Sequence, residues 1–268
     1  MELAALAGRN LGRRTVSYDE GDAILYALAV GAGAEELDLV YERDLRVLPT
    51  FAVTLGLWTV GAVEELGLYD PLTALHAAQG FALREPLPRA SALEISGRIA
   101  AVWDKGSAAI VDVAAESEAF VATYSIFLRG LGGWGGERGP SARTVPPEGE
   151  PLGVEETTSA DQAALYRLTG DDHPVHVDPE VARANGFDRP ILHGLCTLGF
   201  AGRHVAAAVG AHPAALRELS VRFAAPVYPG DTLSTSVWPG RGGSARFETT
   251  VGDTTVLSAG AARLDASV

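Results

Sequence analysis

The stretch Arg129-Gly-Leu-Gly-Gly-Trp-Gly-Gly-Glu-Arg-Gly-Pro140 is dense in glycine, and Pro146, Pro147 and Pro151 follow it closely. Glycine and proline both disfavour a stable helix or a central strand, so this stretch predicts a loop or linker. It divides the 268 residues into two halves of similar size. We predict an N-terminal domain over residues 1–135, a linker over 136–155 and a C-terminal domain over 156–268.

Both halves show helical patterns followed by a run of strand-like stretches. In the first half, helices are predicted at 22–30 and 49–63, and strands at 75–83, 92–103, 108–115 and 120–128. In the second half, helices are predicted at 161–168, after Asp178 and at 195–209, and strands at 219–225, 232–238, 245–251 and 255–264. This order favours an α+β fold over alternating α/β. One buried helix wrapped by a curved antiparallel sheet, once in each half, satisfies it.

The composition argues against some classes of partner and indicates the cellular compartment. The formal net charge of −13 argues against nucleic acids and anionic membranes as partners. No apolar run approaches the roughly 18–20 residues that a membrane-spanning helix needs. The N-terminus lacks signal-peptide features, and the terminal Ala-Ser-Val is not a peroxisomal address. The lone Cys196 cannot form an internal disulfide, so we expect a cytoplasmic protein.

The segment Tyr166-Arg-Leu-Thr-Gly-Asp-Asp-His-Pro-Val-His-Val-Asp178 contains the side chains best suited to chemistry. Gly170 and Pro174 favour a rigid turn, which would hold Asp171 and His176 on one ordered loop. A carboxylate beside an imidazole is a common arrangement for moving protons to and from water. The same composition also suits a solvated turn that caps the next helix, and composition alone does not choose between them.

Residues 166–182 resemble the signature of MaoC-like, (R)-specific enoyl-CoA hydratases of the hydratase 2 kind. The signature's aromatic residue, hydroxyl residue, Gly-Asp, Pro, aliphatic residue, His and small residue match Tyr166, Thr169, Gly170, Asp171, Pro174, Val175, His176 and Ala182. Stretches 189–199 and 221–233 resemble later blocks of the family, and 22–31, 48–51 and 104–108 resemble its N-terminal portion. The family usually has Asn at the position of His173. Because histidine can charge near neutral pH, we expect this departure to affect the pH optimum.

The resemblance implies a double hot-dog fold of the α+β class, a homodimer, and reversible hydration of trans-2-enoyl-CoA to (R)-3-hydroxyacyl-CoA without metal or cofactor. It implies that Asp171 and His176 are catalytic and that the Gly194 N–H binds the thioester oxygen. The predicted substrate-binding residues are His173, His193, Arg222 and Phe223. The first half contains a single histidine, His76, and no comparable motif. We therefore expect the first half to shape the acyl pocket without supplying catalytic groups.

Three alternatives stay open at the level of sequence. His173, His176 and Asp178 are residue types that could hold a metal in a hydrolase. A thioesterase on the same fold would release free CoA instead of a hydroxyacyl ester. A non-catalytic module that binds acyl-CoA would not require both Asp171 and His176.

Overall fold

The computed structural model describes residues 3–69, 74–140 and 149–265. Its strands are β1 Asn10–Tyr18, β2 Ala74–Leu83, β3 Ser91–Asp104, β4 Ala108–Glu116, β5 Phe120–Arg129, β6 Leu152–Thr157, β7 Leu216–Phe223, β8 Thr232–Pro239, β9 Ser244–Val251 and β10 Thr254–Leu264. Its α-helices are α1 Glu20–Ala29, α2 Leu37–Val40, α3 Ala52–Leu55, α4 Trp58–Glu64, α5 Gln162–Tyr166, α6 Pro179–Ala184 and α7 Gly194–Ala208. No helix in these three ranges has the length and apolar character needed to cross a lipid bilayer.

The ten strands form one antiparallel sheet in the order β1-β3-β4-β5-β2-β7-β10-β9-β8-β6. Each half contributes five strands. Read inward from its outer edge, each half has its strands in the same order, namely the first, third, fourth, fifth and second of that half along the chain. The halves meet where β2 pairs with β7, from Ala78 opposite Arg222 to Ala82 opposite Glu218. The predicted α+β double hot-dog fold is confirmed, with the two sheets joined edge to edge.

The core lies between this sheet and the helices. Strand β5 alternates strictly, and its inward residues Phe120, Ala122, Tyr124, Ile126 and Leu128 are all buried. Alternation of this kind is expected when one face of an antiparallel sheet covers a core. Helix α7 is buried along most of its length, as predicted for the central helix of the second half.

The corresponding helix of the first half is broken, although the sequence predicted one helix over 49–63. A 3-10 turn at Pro49–Phe51 is followed by α3 and α4, which are separated at Gly56 and Leu57. A Cβ atom on Gly56 would lie 2.6 Å from the hydroxyl of Tyr124 and 2.8 Å from the Cβ of Ala115. The backbone at Gly56 therefore packs directly on the sheet, and only glycine fits there.

Two strands, β1 and β6, were missed by the sequence analysis. They form the two outer edges of the sheet and are largely exposed, so neither shows a clear apolar alternation. Strand β6 begins at Leu152, so residues 152–155 of the predicted linker are in fact strand. Residues 141–148 of that linker lie outside the described residues.

The glycine-rich stretch is held in place by a single carboxylate. Backbone N–H groups of Gly133, Gly106, Gly135 and Gly136 donate hydrogen bonds to Asp104, at the end of β3. These bonds, with that from Gly133 the largest cause, lower the pKa of Asp104 to about 2. The stretch is therefore an ordered loop, even though its composition is typical of a linker.

A charged network connects the two halves behind α7. The Arg203 guanidinium donates to Glu156 of β6 at 2.9 Å, to Glu36 of the first half at 2.8 Å and to the Val30 carbonyl at 3.3 Å. The Arg203 side chain is only 13% exposed. His204 lies 3.1 Å from the same Glu156 carboxylate. Charges shielded from water in this way interact more strongly than exposed pairs do.

We expect acid to weaken the fold through Glu156. Burial raises the pKa of Glu156, but the hydrogen bond from His204 and the charge of Arg203 outweigh burial, so the net shift is downward. A carboxyl group of this kind stabilises the fold above its unfolded pKa, and the stabilisation is lost as the pH falls through the folded value. Glu156→Gln should therefore lower the free energy of unfolding by about 1–2 kcal/mol at pH 7.

Urea unfolding at pH 7 and at pH 3.5 would measure this effect. The control is Glu155→Gln, which makes the same charge change at an exposed position on the same strand. We expect the difference between the two variants to shrink at the lower pH. Equal destabilisation by both, or a difference that does not change with pH, would contradict this account of the network.

Candidate active site

The predicted catalytic segment is an ordered turn between α5 and α6. Gly170 has a φ of 123°, a conformation that glycine adopts readily and that reverses the chain after α5. A 3-10 turn follows at Pro174–His176. Asp178 then caps α6, because its Oδ1 accepts a hydrogen bond from the Glu180 N–H at 2.8 Å. The turn therefore fixes Asp171 and His176 relative to each other, as the sequence predicted.

His176 has a defined tautomer. Its Nδ1 lies 2.9 Å from the carbonyl oxygen of Ile191, so Nδ1 carries the proton and donates it. The other ring nitrogen, Nε2, then has a free lone pair. Burial is the main cause that lowers the pKa of His176, against the opposing effect of Asp171. The imidazole is therefore neutral near pH 7 and can accept a proton.

Burial has the opposite effect on the pKa of Asp171. Removal of its carboxyl group from water raises the pKa, and the nearby His176 only partly reverses that shift. Because burial disfavours the charged form of both groups, the pair has one proton to share between a carboxyl group and an imidazole. This arrangement is suited to proton transfer at neutral pH.

His193 lies behind the pair, with 0% of its surface exposed. Its Nε2 is 3.0 Å from the backbone carbonyl oxygen of Asp171. Its ring stacks on that of His176, with 3.6 Å between centroids and 25° between planes. Burial lowers the pKa of His193 to about 2, so the ring is neutral. His193 was predicted to bind substrate, but the structure places it beneath Asp171 and His176 and away from the cleft surface.

The geometry of these rings bears on metal binding. Asp171, His176 and His193 offer ligand atoms that all lie within 4.8 Å of one another. However, the lone pair of an imidazole nitrogen lies in the plane of its ring. Since the two rings are stacked, a single ion cannot lie in both planes at bonding distance. The set proposed for the hydrolase alternative, His173, His176 and Asp178, is not among the groupings of possible metal ligands in the described residues, and Asp178 Oδ1 caps α6.

Asp171 and His176 open onto a cleft of about 580 Å³ between the two halves. The second half contributes Asp171, His173, His176, Gly194 and Phe223. The first half contributes mainly apolar side chains, Val60, Leu75, Ile126 and Phe127, together with Glu64 and His76. A mostly apolar cleft with a few converging polar groups is typical of a small-molecule site.

Gly194 is the first residue of α7 and lines this cleft. No acceptor for its N–H occurs in the described part of the chain, as is usual in the first turn of a helix. A Cβ atom at Gly194 would lie 2.9 Å from the ring of Phe223. A side chain at this position would therefore crowd Phe223 in the cleft, and the helix dipole favours negative charge near the first N–H groups of α7.

Arg222 and Phe223 are neighbours in β7, and their side chains point to opposite faces of the sheet. Phe223 lines the cleft, as predicted. Arg222 instead lines a separate cavity of about 490 Å³ beside β2, β5 and β10. The structure therefore does not bring Arg222 to the catalytic pair. His173 does reach the cleft, and its Nδ1 accepts a hydrogen bond from the Val175 N–H at 3.2 Å.

The sequence analysis missed Glu64, a half-buried residue at the end of α4 that faces the same cleft. Burial raises the pKa of Glu64, His173 lowers it and Asp171 raises it further. Glu64 is therefore close enough to both residues to interact electrostatically. No local pattern could have shown this, because the proximity depends on how the two halves pack.

Comparison with known proteins agrees with this geometry. Residues 143–262 match the MaoC like domain, and residues 16–130 match the MFE-2 hydratase 2 N-terminal domain. The chain is 41% identical to 3-hydroxyacyl-thioester dehydratase Y of Mycobacterium tuberculosis, over 87% of this chain and 86% of that protein. It is 38% identical to the peroxisomal enoyl-CoA hydratase 2 of Arabidopsis thaliana, over 87% of this chain and 85% of that protein.

Other relatives are longer. The chain is 40% identical to the peroxisomal multifunctional enzyme type 2 of mouse, but spans only 36% of that protein's length. Among solved structures, a MaoC-like dehydratase from Phytophthora capsici superimposes with a TM-score of 0.88 at 25% identity, over 97% of this chain and 96% of that one. Because both halves match hydratase domains and the relatives align along nearly all of this sequence, the chain belongs to the MaoC-like dehydratase family.

Proposed function

We propose that this protein catalyses the reversible hydration of trans-2-enoyl-CoA to (R)-3-hydroxyacyl-CoA. The observation that carries the proposal is the convergence of Asp171, His176 and the Gly194 N–H on one apolar cleft. Addition of water to an enoyl thioester needs a base for the water, an acid for C2 and a donor for the carbonyl oxygen. These three groups supply one each.

The tautomer of His176 and the directions of the two pKa shifts support the following role for each group. His176 Nε2 takes a proton from water, and the hydroxyl oxygen bonds to C3. The electrons of the double bond move toward the thioester carbonyl, whose oxygen becomes negative and is held by the Gly194 N–H. Asp171, in the protonated form that burial favours, then gives its proton to C2. Transfer of the proton from His176 back to Asp171 restores the starting state.

These roles can be separated with a saturated acyl-CoA, which cannot be dehydrated but can exchange a C2 proton with solvent. In deuterium oxide we expect wild-type protein to incorporate deuterium at C2. Asp171→Asn should lose this exchange at every pH, whereas His176→Gln should retain it at a pH high enough to ionise Asp171. Loss of this exchange in His176→Gln but not in Asp171→Asn would instead assign the transfer at C2 to His176.

The reaction itself is tested by chiral analysis of the product from a trans-2-enoyl-CoA. We expect (R)-3-hydroxyacyl-CoA, formed at an unchanged rate after exhaustive chelation. Predominant (S) product would contradict the proposal. Free CoA without a hydroxyacyl ester would indicate a thioesterase, and an absence of turnover with retained binding would indicate a binding module. Activity lost on chelation and restored by zinc would support metal chemistry.

We propose that the first half selects the acyl chain. Phe127 of β5 and Leu75 of β2 are register partners, and both line the cleft. Phe127→Ala removes a large apolar wall, so we expect the preference to move toward longer or bulkier acyl chains, with kcat on crotonyl-CoA within about threefold of wild type. The ratio of kcat/KM between chain lengths would measure this shift.

Thr123→Ala is the matched control, because Thr123 lies on the same strand but lines the separate cavity of about 490 Å³ and not the cleft. That variant should leave the preference among chain lengths unchanged. Equal losses on every chain length in Phe127→Ala would contradict this division of labour between the halves.

We also propose a cytoplasmic homodimer. Its support is the single cysteine, Cys196, which is a buried free thiol, and the homodimer that the family resemblance implies. Light scattering coupled to gel filtration would give the oligomeric state, and a fluorescent fusion would give the compartment.

A further inference from the structure

We infer that His193 is a positioning residue that holds Asp171 and His176 at once, through a hydrogen bond to one and a stacked ring on the other. This inference rests on the proposed function, because it concerns the same proton transfer. His193 does not line the cleft and is completely buried, so it acts through Asp171 and His176 and not on substrate directly.

The hydrogen bond acts on Asp171. With Nε2 of His193 only 3.0 Å from the Asp171 carbonyl oxygen, that nitrogen donates its proton to the backbone. The bond holds the peptide of Asp171 against the start of α7, where Gly194 is the next residue after His193. The acid and the carbonyl-binding N–H are therefore kept at a fixed separation.

The stacked ring acts on His176. The Ile191 carbonyl fixes one edge of the His176 ring, but a single hydrogen bond leaves rotation about that bond. Contact at 3.6 Å with the face of His193 removes this freedom. The ring of Tyr166, with its centroid 4.8 Å from that of His193, supports His193 from another side. Nε2 of His176 is thereby held in one direction.

One feature of His193 does not stabilise the fold. Its Nδ1 is buried and has no hydrogen-bond partner among the residues that the structure describes. A buried polar atom without a partner lowers the stability of a fold. An aromatic hydrocarbon side chain would fill the same space without that cost. The presence of histidine therefore points to the donation from Nε2 as the property that is needed.

Three substitutions separate the two contacts. His193→Phe keeps a ring against His176 but loses the donor, whereas His193→Gln keeps a donor but loses the ring. His193→Leu loses both. Because displacement of catalytic groups by about 1 Å can cost 10²-fold in rate, we expect His193→Leu to lower kcat by about that factor. The other two should fall between it and wild type, and KM should stay within about threefold throughout.

The pH profile gives a readout that a purely structural role would not move. The titratable and charged groups around His193 are His176, Asp171, Arg167, His173 and Tyr166. Loss of the ring in His193→Gln lets water reach His176, so the acid limb of kcat/KM should move toward higher pH. His193→Phe keeps water out, so its acid limb should stay where it is in wild type.

His204→Gln is the matched control, because His204 is a second buried histidine of α7 that contacts Glu156 and not the cleft. It should lower the melting temperature and leave kcat of the folded protein unchanged. His193→Phe should do the opposite, with a melting temperature at or above that of wild type. If wild-type protein hydrates enoyl-CoA while His193→Leu keeps kcat within twofold, this inference is overturned and the proposed function stands. If wild-type protein shows no hydration, the proposed function is wrong, and this inference, which rests on it, is overturned with it.

Discussion

Asp171→Asn and His176→Gln should each lower turnover on a trans-2-enoyl-CoA by about 10²–10⁴-fold, the usual worth of a positioned acid or base. Asparagine cannot give a proton to C2, and glutamine cannot take one from water at neutral pH. Both substitutions keep the size and hydrogen bonding of the original side chains. We therefore expect circular dichroism and melting temperature to stay close to those of the wild-type protein.

The double variant should be scarcely slower than the poorer single variant. Residues that act as one unit in one step are strongly non-additive, because removal of either already disables the step. Turnover in all four proteins, measured under saturating substrate, decides this point. Rates that multiply in the double variant would show that the two groups act in separate steps.

Asp172→Asn is the matched control for Asp171→Asn, since Asp172 is an exposed neighbour that undergoes the same chemical change. It should keep turnover within about twofold of wild type. A turn whose residues only cap the next helix would give the contrary result, with near-normal turnover and reduced stability in the Asp171 and His176 variants. Wild-type rates in either single variant would remove the pair from the mechanism.

Gly194→Pro should lower kcat by about 10²–10³-fold, because it deletes the N–H that we propose binds the thioester oxygen. Proline is tolerated at the first position of a helix, where the N–H has no intrahelical acceptor. The preceding residue, His193, has φ −57° and ψ 132°, which is the conformation that a residue before proline prefers. The helix should therefore form normally in this variant.

The new side chain of Gly194→Pro also meets the ring of Phe223, and Gly194→Ala controls for this contact. Alanine introduces the same Cβ atom and keeps the N–H. We expect Gly194→Ala to raise KM, because Phe223 must shift, and to lose much less in kcat than Gly194→Pro. Equal losses in kcat for the two variants would mean that crowding against Phe223, and not loss of the donor, limits the rate.

The sequence predicted the parts of the fold whose signals are local. Strands β2, β3, β4 and β5 have apolar inward faces, and each was placed to within a residue or two. Asp178 was recognised as a helix cap because carboxylates accept hydrogen bonds from the first N–H groups of a helix. The turn that holds Asp171 and His176 was predicted from Gly170 and Pro174, since glycine permits a positive φ and proline fixes its own φ.

The rest depends on contacts between segments distant in sequence. Strand β1 has a mostly exposed surface and is ordered by pairing with β3, about 80 residues away. Glu64 reaches the site only because the halves pack against each other. His193 lies beneath the pair because α7 approaches the turn that carries Asp171 and His176. Arg222 was predicted to bind substrate together with Phe223, but successive residues of a strand point to opposite faces of the sheet. None of these features has a periodic or motif signal in the chain.

The pairing of β2 with β7 has a consequence for folding during synthesis on the ribosome. The sheet of the first half can assemble as soon as β5 emerges, but the free edge of β2 has no partner until β7 is made, roughly 130 residues after β2 ends. Because synthesis proceeds at about 5–20 residues per second, the edge of β2 stays unpaired for on the order of ten seconds. An unpaired strand edge readily recruits strands of other chains. Slow synthesis or a stalled ribosome should thus favour aggregation and strand exchange between nascent chains, and a chaperone that covers β2 would suppress both.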